Sequence, residues 1–267
     1  MNYSLFARYA ALCCMWLTAT CTMGPKVRDG GIITTNANAQ GNKITVRFTR
    51  GSNFANAKQF LFGKFTITPQ IAVWAEDTQG RYLQTLYVTR KFAKQDWGIM
   101  LHNKDSCFRT SSLPYWLNKY VHAGNAAPTT NKPLPDAVTA ATPTGSFDIN
   151  TMLNTPALPV VICVEINSSF DYNSAFGPKR KASSINGQPA VVYKARAGEN
   201  LRLYPVVSMK LAGHSGETGA DSLLYKDVSG LTTAQNIFSC INVLMHVSVS
   251  PAGDSIDRTG ATPLSAR

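Results

Sequence analysis

The run Ile71-Ala72-Val73-Trp74-Ala75-Glu76, followed by Asp77-Thr78-Gln79-Gly80 and then Arg81-Tyr82-Leu83-Gln84-Thr85-Leu86-Tyr87-Val88-Thr89, decides the fold. β-Branched and aromatic residues fill both flanks, and the polar turn between them ends in glycine. That pattern predicts two antiparallel strands joined as a hairpin. Upstream, Ile44, Val46 and Phe48 alternate with Thr45, Arg47 and Thr49, which is the period of a strand with one buried face. Downstream, strand-like runs recur at 159–166, 190–196, 201–211 and 237–250. In the last, Ile241, Val243, Met245, Val247 and Val249 alternate with Asn242, Leu244, His246, Ser248 and Ser250. Short strands between turn-rich loops predict an all-β fold, an immunoglobulin-like β-sandwich with one or two short helices and long loops. No internal repeat indicates a solenoid or propeller.

One helix interrupts the strands. Leu113, Trp116, Leu117, Tyr120 and Val121 fall on one apolar face, with Pro114 suited to the first turn and Ser112 expected as its cap. Residues 123–145 then read as a long irregular loop rich in Ala, Pro, Thr and Asn, a length that in a compact domain usually carries function or is disordered.

The 267 residues are 44% hydrophobic and 15% charged, enough apolar material for a sizeable core and unlike a disordered chain. The formal net charge is +11. Its Lys and Arg residues are scattered, and the densest run, Lys179-Arg180-Lys181, sits in a Gly-Pro loop and reads as a solvated surface. Nucleic acid is therefore not the expected partner; an anionic envelope surface suits the charge better.

The N-terminus, MNYSLFARYAALCCMWLTATCTMGPK, has the form of a secretory signal. Arg8 precedes an apolar run from Tyr9 to Leu17, and small residues follow from Thr18 to Thr22. The apolar run is too short to span a bilayer, which takes about 20 residues. Cys21 resembles a lipoprotein cleavage site, with Thr20 where Gly, Ala or Ser is usual. Two outcomes stay open: acylation of Cys21, or cleavage nearby and a soluble periplasmic protein. The expected organisation is a signal at 1–21, a flexible tether at 22–42, a single sandwich domain at 43–250 and a polar tail at 251–267.

Export permits disulfides. Cys163 and Cys240 both sit in strand-like runs and would pair if those strands were neighbours, leaving Cys107 over; all three free is the alternative. No Cys-x-x-Cys occurs, against a zinc ribbon, a thioredoxin-type site and a c-type haem.

Catalytic signatures are equally sparse. There is no Gly-x-Ser-x-Gly elbow, no His-Glu-x-x-His and no phosphate-cradling glycine loop. His102, His122, His214 and His246 are scattered. His214 lies in a loop with Glu217 and Asp221, which reads as a surface turn more than a metal site. Trp97 and Tyr115 could form a ligand platform, and core packing explains them equally well.

The informative segment is Asp136-Ala137-Val138-Thr139-Ala140-Ala141-Thr142. It resembles the attachment motif of bacterial flavin transferases, Asp-x-x-Ser/Thr-Gly-Ala-Thr. By that resemblance Thr142 accepts FMN through its phosphate, with Asp136 and Thr139 as recognition positions. Ala140 departs from the motif's glycine. The string Asp257-Arg258-Thr259-Gly260-Ala261-Thr262 has its aspartate one residue too close, and belongs to the polar tail.

Further blocks extend the likeness: Ala72–Asp77 with Gly80, Thr85–Val88, Leu113–Trp116, Val164–Asn167, Phe170–Asn173, Asn186–Pro189 and Leu231–Ala234. Together they resemble an uncharacterised bacterial family of predicted periplasmic proteins, a domain of unknown function that tends to accompany flavin transferase and PepSY-type membrane redox genes. The resemblance implies an exported, single-domain accessory of a flavin-based electron-transfer system, partnered by a flavin transferase and membrane redox proteins; it assigns no reaction, and the membrane would be met only through lipid on Cys21 if that residue is acylated. The rival reading is a non-catalytic β-sandwich binding a glycan, peptide or envelope protein.

Overall fold

The computed structural model describes residues 31–60, 63–95, 97, 109–155, 157–179, 185–199, 206–219 and 221–246. The signal segment with Cys21, the run 180–181, Cys107, His102 and the tail 251–267 lie outside them.

Two sheets face each other across one apolar layer, the all-β sandwich that the alternation predicts. The first holds β1 (Ile32–Thr34), β2 (Asn42–Arg50), β8 (Phe147–Leu153), β11 (Val206–Ser208) and β13 (Phe238–His246), in the order β1-β8-β2-β13-β11. The second holds β5 (Gln70–Glu76), β6 (Tyr82–Thr89), β7 (Thr139–Ala140), β9 (Val160–Asn167), β10 (Val191–Ala197) and β12 (Lys210–His214), in the order β12-β10-β9-β5-β6-β7. A small hairpin, β3 (Asn56–Phe60) with β4 (Gly63–Ile67), stands apart.

The expected hairpin is β5–β6. Asp77 closes its turn by accepting the backbone amides of Gln79 and Arg81, both at 2.9 Å, and Gly80 supplies φ +81°. In β13, Ile241, Val243 and Met245 point into the inter-sheet core, joined there by Ile44, Val46 and Phe48 of β2. Phe48 stacks on Phe147 at 4.6 Å, and Phe238 closes the cluster.

The second sheet is buried on both faces. Ile71, Val73 and Ala75 of β5 and Ile162, Val164 and Ile166 of β9 face the inter-sheet core. Ala72, Trp74 and Cys163 face the other way, into a second cluster roofed by α1 (Arg90–Ala93), α2 (Pro114–His122), Trp97 and Leu113. That double burial is why β5 reads as a nearly unbroken apolar run instead of an alternating one.

α2 is fastened from below. Its N-cap is Leu113, which offers no side-chain cap, and Pro114 has no amide hydrogen. The amides of Tyr115 and Trp116 donate instead to Glu165 of β9, at 3.0 and 2.7 Å. A buried carboxyl group thus satisfies the helix's first free donors. The expected cap at Ser112 is corrected: its hydroxyl donates to the Arg109 carbonyl at 3.1 Å, because the helix starts one residue later. Leu113, Trp116 and Leu117 are buried as the helical spacing predicts, whereas Val121 is 42% exposed at the helix end.

Two other expectations are corrected. The tether at 22–42 is not a tether throughout: β1 runs parallel to β8, and the Thr35 hydroxyl donates to the Leu86 carbonyl at 2.7 Å. Gly31 and Thr34 there take part in edge pairing with β8. The Cys163–Cys240 pair does not form. Cys163 is a free, buried thiol on the outer face of the second sheet, whereas Cys240 is disulfide-bonded and belongs to the first sheet. Strand parity decides this, since Ile162 and Val164 beside Cys163 take the inward positions.

Candidate functional site

Where α2 leans over β6, a groove of about 500 Å³ opens between the helix and the 135–138 segment. Tyr82 and Tyr120 form its aromatic floor, with ring centroids 5.8 Å apart and the planes nearly perpendicular. Tyr120 is held from behind by stacking on Trp116 at 5.0 Å. The Trp116 indole donates to Thr85 at 3.1 Å, and the Tyr82 phenol shares that same hydroxyl at 2.6 Å. Burial pushes the Tyr82 pKa up to about 12, so its hydroxyl stays neutral.

Amide side chains rim the floor. Asn36, in the left-handed region at φ +49°, donates its NH₂ to the Thr85 carbonyl and the Thr151 hydroxyl at 3.3 and 3.2 Å. Asn125 donates to the Tyr120 carbonyl at 3.0 Å. Both amide orientations are therefore set, and their oxygens remain as acceptors. Pro135 and Val138 form the far wall, and every lining residue is uncharged. The lining therefore combines aromatic and aliphatic surface with two amide acceptors and no charge.

The flavin-like segment borders this groove. Asp136–Val138 forms a 3-10 turn, and Thr139 and Ala140 form β7, paired in parallel with Val88 and Thr89. Ala140 is therefore extended backbone, which alanine adopts without strain; the glycine of the resembled motif is not required here for a turn. The Asp136 side chain is 87% exposed and reaches Lys94 at 3.7 Å. Thr142 is half-buried, and its hydroxyl donates to the Pro69 carbonyl at 3.0 Å. Asp136 is thus accessible, Thr139 is half-buried in β7, and the Thr142 hydroxyl is engaged in the folded chain.

Trp97 and Tyr115, the other aromatic candidates, are both buried within the second cluster. His214 is consumed structurally: Nδ1 accepts from the Gly216 amide, Nε2 bonds the Asp227 carbonyl, both at 3.0 Å, and the ring stacks on Tyr225. Among the described residues no group of three or more His, Cys, Asp and Glu is placed to hold a metal ion, and no helix is long and apolar enough to cross a membrane.

Two buried polar arrangements escaped the sequence. Beneath α2, Glu76 takes a hydrogen bond from Lys194 at 2.8 Å and from the Trp74 indole at 3.0 Å, with Lys119 at 3.5 Å. Burial raises its pKa, but these partners together outweigh that and hold it below the usual value. At the end of the second sheet, Asp171 accepts from Thr233 at 2.6 Å, Gln188 at 3.0 Å and Asn53 at 3.3 Å. Four of the blocks behind the family resemblance, 164–167, 170–173, 186–189 and 231–234, meet at this network and its surroundings. Nothing local marks these residues, because the partners are brought together only by strand pairing.

Comparison with known proteins finds no matching family model, no matching curated protein and no matching solved structure.

Proposed function

We propose that the protein is a non-catalytic binding module working outside the cytoplasm, and that its groove takes a neutral, hydroxyl-rich ligand of sugar type. The observation that carries this reading is the groove itself: two tyrosine rings beside the fixed acceptor oxygens of Asn36 and Asn125, with an uncharged lining. Rings of this kind lie against the C–H face of a sugar, and the amide oxygens accept its hydroxyls. Titration calorimetry with a panel of neutral oligosaccharides tests it. Binding by one of them, lost in Tyr120→Ala and weakened in Asn125→Ala, supports the reading; binding that persists in both variants removes the groove from it.

A second reading, an accessory of extracytoplasmic flavin electron transfer, is favoured by the accessible Asp136. FMN on Thr142 requires the Thr142–Pro69 bond to be given up. Peptide mass after co-expression with a flavin transferase decides: a gain of one FMN less water on the peptide containing Thr142, absent in Thr142→Ala, supports it. An unmodified peptide beside a modified control substrate ends it.

A further inference from the structure

Among the described residues, only five side chains contain a buried polar atom without a partner: Asn56, Gln70, Arg109, Asn167 and Ser168. Four of them gather at one end of the second sheet. Gln70 opens β5 and pairs in register with Asn167, which closes β9; Ser168 follows directly. Arg109 reaches the same turn, donating from Nη1 to the Ser169 hydroxyl at 3.1 Å and from Nη2 to the Asn186 side-chain oxygen at 2.6 Å. Such a concentration is unusual, because buried polar groups are nearly always paired and each orphan costs free energy.

The charge is unbalanced as well. The Arg109 guanidinium lies 4.3 Å over the Trp97 ring, and its hydrogen-bond partners are a hydroxyl and an amide, both neutral. Burial lowers its pKa to about 10, so it remains a cation at neutral pH. A half-buried cation with no carboxylate among these contacts invites an anion.

The unpartnered atoms narrow the choice. Arg109 Nε is a donor, the Ser168 hydroxyl can donate or accept, and Gln70 Oε1 is an acceptor. Asn167 Oδ1 is an acceptor, and its orientation is fixed because its NH₂ donates to the Gln188 carbonyl at 3.0 Å and the Asn186 carbonyl at 3.4 Å. A ligand complementary to this set is negative, accepts from Arg109 and donates to an amide oxygen. Sulfate and carboxylates lack the donor near neutrality, whereas a phosphate that keeps one proton supplies it.

We propose that Arg109, Ser168 and Asn167 form a binding site for a protonated phosphate group. Arg109 and Ser168 donate to its oxygens, and Asn167 accepts its P–OH. The site is separate from the groove between α2 and β6, so neither reading depends on the other.

The test uses the full chain and isothermal titration at pH 7, with inorganic phosphate, methyl phosphate, sulfate and acetate at matched ionic strength. Saturable binding of phosphate at least tenfold tighter than sulfate or acetate is expected. Arg109→Gln should lose it, and Ser168→Ala should weaken it about tenfold. Equal binding of methyl phosphate assigns the site to phosphomonoesters, and preference for inorganic phosphate assigns it to the free ion. No saturable phosphate binding, sulfate binding as tight as phosphate, or unchanged affinity in Ser168→Ala overturns the proposal. Ser168→Ala keeps the test decisive if Arg109→Gln fails to fold.

Discussion

Glu165, in the middle of a strand, accepts the backbone amide of Trp116 at 2.7 Å and so holds the start of a helix from a sheet position 49 residues away. Its side chain is fully buried, and burial pushes its pKa up to about 8 against the pull of the two amides it bonds. The unfolded value is near 4.5. Between these values the folded chain keeps the proton that the unfolded chain has lost. The Glu165 contribution to stability therefore falls as pH rises from about 4.5 to about 8 and is constant beyond. Urea unfolding at pH 5 and pH 8 should show this loss in the wild type, and Glu165→Gln should lose less over the same interval. An identical pH dependence in both would show that Glu165 does not titrate in that window.

Replacing Lys194 by methionine should destabilise the fold by about 3 kcal/mol, because it leaves Glu76 buried with only the more distant Lys119 for charge compensation. Adding Glu76→Gln should recover much of that loss. A double-substitution cycle in chemical denaturation measures the coupling, and additive effects would contradict it.

Cys163 should be silent toward thiol reagents in the native state. Burial, aided by the nearby Glu76 charge, raises its pKa well above the ordinary value, and the thiolate is the reactive species. Iodoacetamide followed by peptide mass should label Cys163 only after denaturation; rapid native labelling would place the thiol at the surface.

Gly187 sits at φ +69°, where a Cβ would come within 2.5 Å of the Asp171 carbonyl oxygen. Gly187→Ala should therefore cost more than about 2 kcal/mol, disturbing the link between Asp171 and Gln188. Thermal unfolding of the variant reads this directly, and a wild-type midpoint would mean the turn can relax.

The sequence made the sandwich legible where alternation or turn chemistry was strong, as in β2, β13 and the Asp77–Gly80 turn. It concealed β8, whose Asp148 and Asn150 are poor strand formers. In the fold they are satisfied across the strand pair, Asp148 by Arg47 at 3.0 Å and Asn150 by the Thr45 hydroxyl at 2.6 Å. β1 was hidden for another reason: three residues pairing in parallel with a strand over a hundred positions away leave no local trace. The paired-cysteine expectation failed because a strand-like run does not reveal which face a residue takes. Of the candidate site, the motif Asp136–Thr142 was visible, but the engagement of Thr142 with Pro69 was not. Tyr120 was visible as part of an apolar helical face, yet its partnership with Tyr82 depends on how α2 crosses β6.

The place of β2 between β8 and β13 has a consequence for the order in which the chain is made. Lys43 pairs with His246, so one side of this central strand stays open until residues 238–246 have been synthesised. The first sheet cannot close early, and a nascent chain lacking residues 238–246 presents an incomplete, bare-edged sheet.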